Sequence, residues 1–322
     1  MSDELLNARF FLAPMDGVTD FVMRDLLTQI GGIDVCVSEF LRVAGNELSK
    51  KVVNRDIPES AMNWRTYAGV PVIPQILGGN PDLMAQSAYM LAEMGAPAID
   101  INFGCPAKTV NRHDGGAVLL NAPDRVTNII RTVKEKVFPV PVSAKIRLGW
   151  DSTDCFDSIL NALIQAQPEW ITIHARTKTD GYSGAAKWDF IKKAVDRNHI
   201  PVIANGDITD ESSYQKCLEV TGSQKVMIGR AVLKDPFVFR KIRDKDFSCG
   251  FKEVADLLNR FNLASERHYG NKTSALGRLK RWSKQLSEGP NASIMESIFD
   301  ETIKHMKSAD EITGALSGIS QK

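Results

Sequence analysis

Short apolar segments recur through the first three-quarters of the chain, and each is continuous rather than alternating with polar residues. This pattern is typical of strands that are buried on both faces, because neither face then meets water. Eight such segments are predicted to be strands: Phe10–Pro14, Asp34–Phe40, Pro71–Leu77, Ala98–Cys105, Val140–Leu148, Trp170–Thr177, Ile200–Asp207 and Lys225–Leu233.

Segments with a helical spacing of apolar residues lie between these strands, as in Pro81–Met94 and Pro123–Val137. Eight strand–helix units in about 240 residues match the size of a (β/α)8 TIM barrel. An open, doubly wound sheet is the alternative, but it usually has a Gly-x-Gly-x-x-Gly turn after its first strand. The first strand here ends in Ala13–Gly17, which reads APMDG. The pattern therefore favours an α/β fold built as a TIM barrel.

After Arg240 the pattern changes to apolar residues at helical spacing, without further β-rich segments. These residues predict three amphipathic helices, marked by Val254, Leu257, Leu258 and Phe261, by Leu276, Leu279, Trp282 and Leu286, and by Ile294, Ile298, Phe299, Ile303 and Met306. We expect a small C-terminal helical bundle. The polar stretch Arg243–Asp246 marks the boundary, which gives a catalytic barrel domain of residues 1–243 and a helical domain of residues 244–322.

Composition excludes several classes of protein. The chain has 322 residues, is 43% hydrophobic and 25% charged, and has a formal net charge of +1, as expected of a globular protein. Its five cysteines are scattered without a Cys-x-x-Cys pair, which argues against a disulfide framework and suits a reducing compartment. We find no signal peptide and no run of about 18 apolar residues, so we expect a cytoplasmic protein without a membrane span.

The last two predicted strands end in glycine-containing turns, Ala204–Asp207 and Ile228–Arg230. In barrels, the loops after strands seven and eight often bind a phosphate, because glycine allows close approach and free N–H groups face the anion. Arg230 can add a charged guanidinium to such a site. Two ordinary turns are the alternative for each segment taken alone.

The middle strands end in polar residues, among them Gln75, Lys145, His174 and Arg176. A charged lysine inside a barrel is costly, so we expect Lys145 at the barrel mouth. A lysine there can stabilise the negative charge of a reduced isoalloxazine at its pyrimidine edge, and Gln75 can bond the same edge. His174 alone would suit a structural role, but its place beside Arg176 favours a functional one. No cluster has metal-ligand spacing, so we predict no metal site.

A basic segment, Arg267–Ser287, lies within the predicted helical bundle and contains no acidic residue. Its six cations are Arg267, Lys272, Arg278, Lys280, Arg281 and Lys284. Such a cluster suits an RNA backbone, whereas a solvated helix face is the common alternative. We take Arg278, Lys280 and Arg281 as the candidate RNA contacts.

Six motifs, in order along the predicted barrel, together resemble those of the tRNA-dihydrouridine synthase family. They are APMDGVTD at Ala13–Asp20, NFGCP at Asn102–Pro106, KIRLG at Lys145–Gly149, IHART at Ile173–Thr177, NGD at Asn205–Asp207 and IGR at Ile228–Arg230. Three further segments are similar to the bacterial branch that acts on uridine 16 of the tRNA D-loop. They are Ser38–Val43, Lys108–Asn111 with Gly115–Ala117, and Arg147–Ser152.

The resemblance implies an FMN-dependent enzyme that uses NADPH to reduce a tRNA uridine to 5,6-dihydrouridine. It implies hydride transfer from flavin N5 to C6 and proton transfer from Cys105 to C5. A free thiol has a pKa of roughly 8.5, so it is mostly protonated at pH 7 and can act as an acid. His113, in the loop after Cys105, is the rival acid. Asn102 and Arg176 are expected to hold the target base, or in the case of Arg176 a neighbouring phosphate.

The resemblance also implies a set of FMN-binding residues at the strand ends, namely Pro14, Met15, Gln75, Lys145, His174, Asn205, Gly206, Asp207, Gly229 and Arg230. The expected partner is tRNA near its D-loop and elbow, with no DNA partner and a monomeric protein. Three alternatives stay open: another D-loop position (17, 20 or 20a), a pyrimidine or dihydroorotate FMN dehydrogenase, and a tRNA-binding chaperone.

Overall fold

Eight parallel strands close into a barrel in the computed structural model, which describes residues 2–197, 199–290, 292, 293, 295, 303, 306, 308, 311, 314 and 315. The strands are β1 (Phe10–Leu12), β2 (Val35–Arg42), β3 (Val72–Leu77), β4 (Ile99–Phe103), β5 (Val142–Arg147), β6 (Ile171–His174), β7 (Val202–Asn205) and β8 (Lys225–Ile228). Each strand pairs in parallel with the next, and β8 pairs with β1. The predicted TIM barrel is confirmed, and every predicted segment overlaps one strand.

Thirteen helices are found among the described residues. They are α1 (Asp3–Asn7), α2 (Phe21–Ile30), α3 (Lys50–Asp56), α4 (Pro81–Glu93), α5 (Lys108–Arg112), α6 (Pro123–Val137), α7 (Phe156–Ala166), α8 (Trp188–Arg197), α9 (Glu211–Thr221), α10 (Ala231–Lys234), α11 (Val238–Arg243), α12 (Phe251–Tyr269) and α13 (Lys272–Leu286). Short 3-10 helices occupy Pro58–Ala61 and Gly116–Asn121. Asn80 caps α4 by accepting a hydrogen bond from the Leu83 N–H at 3.0 Å.

The last predicted strand segment, Lys225–Leu233, is wrong in its second half. The strand β8 ends at Ile228, and α10 begins at Ala231 after the turn at Gly229. Val232 and Leu233 are buried there, but in a helix. A short apolar run does not distinguish a buried strand from a buried helix, so the sequence pattern could not separate the two elements.

The barrel interior changes from apolar to polar along the strand direction. A cluster of buried apolar side chains fills the end where the strands begin: Leu5, Ala8, Phe11, Ala13, Val35, Val37, Ile73, Ala98, Trp170, Ile203 and Met227. Gln75, Asp100 and Ser143 follow toward the carboxyl ends and are also buried. Because buried polar groups are costly unless they are hydrogen-bonded, this change marks the end of the barrel where chemistry is possible.

The chain divides into two compact units. The barrel unit comprises Met1–Phe21, Ile33–Ile208 and Ser212–Gly229, and the helical unit comprises Val22–Gly32, Thr209–Glu211 and Arg230–Lys322. The helical unit thus takes in α10 and α11, which precede the boundary expected after Arg243. The division into folding domains at that boundary stays a prediction.

In the helical unit, α12 and α13 pack through the side chains that predicted them. The Phe261 and Trp282 rings are 4.7 Å apart between centroids, and both are buried. Gly270 ends α12 with a positive φ of 61°, and Asn271 begins α13 by accepting hydrogen bonds from two backbone N–H groups.

The third predicted C-terminal helix falls mostly outside the described residues, which omit Ile294, Ile298 and Phe299. Ile303 is described and buried. None of the helices in the described part of the chain is both long and apolar enough to cross a bilayer.

Candidate active site

Cys105 lies just beyond the carboxyl end of β4, with 9% of its surface exposed. The side-chain oxygen of Asn102 accepts hydrogen bonds from the backbone N–H groups of Gly104 and Cys105, each at 2.9 Å. This local side-chain-to-backbone pattern forms a tight turn after the strand. Asn102, itself largely buried, therefore determines where the thiol stands.

The following loop holds Cys105 from the other side. The Asn111 side chain donates to the carbonyl oxygens of Cys105 at 3.0 Å and of Ala107 at 2.7 Å. Gly116 has a positive φ of 71°, and a Cβ there would lie 2.9 Å from the Cys105 carbonyl oxygen. Only glycine fits this close approach, which gives a physical reason for glycine at position 116.

Burial raises the pKa of the Cys105 thiol above its ordinary value. The backbone N–H of Ala107 acts against this rise, and so do the charges of Arg147 and Lys145, whereas Asp16 adds to it. The thiol is therefore protonated at neutral pH. A protonated thiol is suited to giving a proton rather than to nucleophilic attack, which requires the thiolate.

A chain of buried side chains runs from Asn102 into the barrel. The Asn102 amide nitrogen donates to Gln75 Oε1 at 2.7 Å, and Gln75 Nε2 donates to Asp100 Oδ2 at 2.6 Å. The Ser143 hydroxyl donates to Asp100 Oδ1 at 2.6 Å. Burial raises the pKa of Asp100, and the two hydrogen bonds and the charge of Lys145 oppose that rise. Gln75, expected at the flavin edge, thus has one amide N–H left for a ligand.

Lys145 lies beside this chain, on β5. Its Nζ is 3.2 Å from Asn205 Oδ1, and the Asn205 amide donates to the Met227 carbonyl at 2.8 Å. Burial, together with the charge of Arg147, lowers the pKa of Lys145 to about 8, although Asp100 and Cys105 act in the opposite direction. A lysine with this pKa is mostly protonated at pH 7, so it keeps a positive charge at the barrel mouth.

Arg147 joins the loops that follow β4 and β6. Its Nε donates to the Gly104 carbonyl, and its Nη1 donates to the carbonyls of Thr177 and Gly181, all at 2.9 Å. The guanidinium also lies over the Tyr182 ring, 5.5 Å from the centroid. Arg147 therefore fixes the turn of Cys105 through the carbonyl of the preceding residue.

Arg176 and Asp207 form an ion pair beyond the ends of β6 and β7, in which the arginine is buried and the aspartate is partly exposed. Arg176 Nη2 lies 2.7 and 2.8 Å from the two carboxylate oxygens, and the arginine side chain is 2% exposed. Its other terminal nitrogen, Nη1, is buried without a hydrogen-bond partner among the described residues. A buried guanidinium N–H without a partner is costly, so this atom suits a polar group of a ligand.

Gly206 provides space next to this ion pair. Its φ is +123°, and a Cβ there would lie 3.3 Å from the His174 ring and 3.7 Å from Arg176 Nη1. His174 is 7% exposed and lies 6.1 Å from the Tyr182 ring, between centroids. His174, Arg176, Gly206 and Asp207 thus meet in one place, as their positions at strand ends predicted.

The ends of β1 and β8 meet in the barrel unit as well. A Cβ on Gly229 would lie 3.3 Å from the Ala13 Cβ and 3.5 Å from the Met15 sulfur, and Pro14 is half-buried. Arg230 belongs to the helical unit, where it is exposed at the start of α10. Its contact with a phosphate stays a prediction.

The basic residues of α13 differ in what they contact within the helical unit. The Arg278 guanidinium lies 4.8 Å from the Tyr269 ring centroid, and Lys280 Nζ donates to the Met306 carbonyl at 2.9 Å. Arg281 and Lys284 are exposed. Of the three expected RNA contacts, Arg281 is therefore the most open to a partner.

Three residues at the barrel mouth were missed as candidates, namely Asp100, Ser143 and Tyr182, and Arg147 was noted at the end of the fifth strand without a role. Asp100 precedes Asn102 by two positions, so alternation along a strand places both side chains on one face. A carboxylate on the same face as Asn102 could therefore have been identified from the sequence as a candidate site residue. Arg147 stands in the same relation to Lys145. Tyr182 carried no signal, because its place depends on a loop.

The rival acid His113 is exposed, and its Nδ1 lies 2.6 Å from the Thr109 carbonyl oxygen. In the described part of the chain, no group of three or more His, Cys, Asp or Glu is arranged to hold a metal ion.

The fold is shared with known reductases. The chain has a TM-score of 0.57 with a 2-naphthoyl-CoA reductase at 10% identity, covering 74% of this chain and 50% of that one. With the old yellow enzyme homologue from Zymomonas mobilis the TM-score is 0.54 at 14% identity, covering 75% and 90%. At such low identity the likeness concerns the barrel fold alone.

Sequence similarity is far more specific. Residues 11–312 match the family described as dihydrouridine synthase (Dus). The chain is 37% identical over 320 residues to the tRNA-dihydrouridine(16) synthase of Ralstonia nicotianae, covering 96% of this chain and 95% of that protein. It is 41% identical over 278 residues to the protein of the same name from Vibrio cholerae, covering 85% of each. The chain therefore belongs to the dihydrouridine synthase family.

Proposed function

We propose that the protein is a flavin-dependent tRNA-dihydrouridine synthase that reduces uridine 16 of the D-loop. The observation that carries the proposal is the protonated, buried thiol of Cys105, which Asn102 holds at the mouth of a barrel of this family. The name shared by the Ralstonia and Vibrio relatives supports position 16. A monomeric state and a cytoplasmic location stay predictions.

The residues at the barrel mouth suit a bound flavin. The buried Arg176 Nη1 has no hydrogen-bond acceptor among the described residues, and Gly206 leaves room for a ligand beside it. Lys145, His174 and Asn205 supply further polar groups at the same end. We assign FMN binding to Gly206, Lys145, His174 and Asn205 and to the other strand-end residues expected to bind FMN, with NADPH as the electron donor; Arg176 is kept for the target base. A bound flavin supplies the hydride that reduces the pyrimidine ring.

The chain's own residues supply orientation and the proton. The target uridine must leave its stack to enter the barrel, as other enzymes that modify bases require. Asn102 and Arg176 then orient the base by hydrogen bonds. Cys105 gives its thiol proton to C5, because its raised pKa keeps the proton in place until reduction makes the carbon basic. The aliphatic side chains of Leu77 and Val110 pack against the thiol and keep bulk water from acting as the proton donor in its place.

The exposed cations of α13 are the proposed contact with the tRNA backbone. Their charge supplies affinity without reading sequence, since phosphates are the same along the strand. Arg281 and Lys284 carry this role most directly, because both are exposed.

An anaerobic flavin-reoxidation assay tests the proposal. The purified protein is reduced with NADPH, mixed with tRNA from cells that lack this gene, and the dihydrouridine formed is mapped. We expect rapid reoxidation and dihydrouridine at position 16. Reduction at another D-loop position would reject the assigned site but keep the reaction. An absence of reoxidation with tRNA, together with turnover of a free pyrimidine, would reject the whole proposal.

A further inference from the structure

The buried chain described above has only one possible direction of hydrogen bonding. Two backbone N–H groups, of Gly104 and Cys105, point at one end of the Asn102 side chain, so this end must be its oxygen. The Asn102 nitrogen therefore faces Gln75, which must present its oxygen in return. The Gln75 nitrogen then faces Asp100, and the Asp100 atom at 2.6 Å must be an acceptor.

We propose that Asp100 is a positioning residue that sets the direction of this chain and thereby holds the turn that carries Cys105. The group of Asp100, Gln75 and Asn102, with Ser143 at its base, is called the amide relay below. The role in catalysis rests on the proposed function, whereas the role in holding the thiol does not.

Burial and strand register support this role. Asp100 is 2% exposed and Gln75 is fully buried, so water does not replace a lost partner. Gln75 pairs with Asp100 across β3 and β4, and Asp100 pairs with Ser143 across β4 and β5. The relay thus ties the ends of three strands to one turn. A displacement of about 1 Å at a reacting group can cost about a hundredfold in rate.

The essential property is an acceptor facing Gln75, which separates two substitutions at one position. Asp100→Asn keeps a side-chain oxygen for Gln75, and its amide can donate to the Ser143 hydroxyl oxygen. Asp100→Leu removes the acceptor with a larger side chain of the same branching and leaves the Gln75 amide unpaired. Gln75→Glu nearly retains the side-chain volume but, once both carboxyl groups are ionised, sets two acceptors against each other at Asp100. This variant provides the test if the leucine variant does not fold.

The experiment uses the full-length, flavin-loaded protein and measures the rate at which iodoacetamide alkylates Cys105, relative to Cys155, by peptide mass spectrometry. Cys155 lies in the same unit, is partly exposed and does not belong to the relay. We expect the Cys105 to Cys155 ratio to rise about fivefold or more in Asp100→Leu and Gln75→Glu, because the turn is released. In Asp100→Asn it should stay within about twofold of the native ratio.

Turnover provides the second measurement. In Asp100→Leu and Gln75→Glu, kcat for tRNA reduction should fall about tenfold or more. In Asp100→Leu, whose residue is not among the assigned FMN contacts, flavin reduction by NADPH should change by less than about threefold. Thr172→Val is the matched control, because the Thr172 hydroxyl is buried in the same barrel without a partner among the described residues. It should leave the thiol ratio and kcat within about twofold of native.

The proposal is overturned if folded Asp100→Leu and Gln75→Glu keep the native thiol ratio, or if Asp100→Asn is impaired as severely as Asp100→Leu. A purely structural role would lower the melting temperature without changing that ratio. If the native protein forms no dihydrouridine, the proposed function fails, and the alkylation ratio still decides the role of the relay.

Discussion

The barrel mouth and the surface of α13 differ in how firmly their polar side chains are held. At the mouth, Asn102, Gln75 and Arg147 each make at least two hydrogen bonds shorter than 3.0 Å, and all three are buried. On α13, Arg281 and Lys284 are exposed on the surface of a helix. One region fixes its side chains in place, and the other presents charge.

The contrast follows from what each region must recognise. Proton transfer to one carbon of one base requires a donor at a defined position, so the surrounding side chains must be held by partners. A phosphate backbone is uniform and highly charged, and positive charge attracts it at a distance. Substitution of the proton donor at the mouth should therefore have a large effect on the rate of uridine reduction, and substitutions on α13 should have graded, salt-dependent effects on tRNA binding.

The largest effect is expected for Cys105→Ala. The variant should reduce its flavin with NADPH at the native rate but should lose about a hundredfold or more in uridine reduction, because a positioned general acid contributes this much. Single-turnover reoxidation by tRNA separates the two half-reactions. Cys155→Ala is the control and should behave as native. Full tRNA activity in Cys105→Ala would assign the proton to another group, with His113 the next candidate.

A smaller, graded effect is expected on α13. Reversing both charges, in Arg281→Glu with Lys284→Glu, should weaken tRNA binding by roughly tenfold to a hundredfold and lower the salt slope by about 1 for each lost phosphate contact. Binding is measured at several salt concentrations, and flavin content serves as the check on folding. Lys216→Glu, on an exposed part of α9, is the matched control. Equal salt slopes in both variants would remove α13 from the tRNA-binding surface.

The smallest effect is a pH dependence at Lys145. Its pKa is about 8 in the folded protein, so the charged form dominates below that pH and is lost above it. If the charge helps to hold the flavin, affinity for FMN should be greatest below about pH 8 and fall by at most about tenfold for each unit above it. Titration of the apoprotein with FMN from pH 6.5 to 9.5 measures this.

Two substitutions test whether the pH dependence of FMN affinity comes from the charge of Lys145. Lys145→Arg keeps a positive charge over the whole range, so its affinity should not vary with pH. Lys145→Met should bind weakly at every pH. A native-like pH dependence in Lys145→Met would assign the titration to another residue.

Much of the barrel could be predicted, because its signals are local. Buried parallel strands are continuously apolar, and the helices between them have apolar residues at helical spacing, so Pro123–Val137 was predicted to the residue. The division of Lys225–Leu233 into a strand and a helix could not be predicted, since a short apolar run is compatible with either element.

By itself, the sequence determined the order of the strands, the thiol at the end of the fourth and the basic segment near the C-terminus. Only the tertiary structure decided which side chains meet. Asn102 bonds Gln75 across 27 positions of sequence, and Lys145 bonds Asn205 across 60. Such pairs depend on the register between strands and on the closure of the barrel, which no local pattern contains. The same holds for Arg278 and Arg281, which share a charge and a helix but differ in burial, because packing against Tyr269 involves only the first.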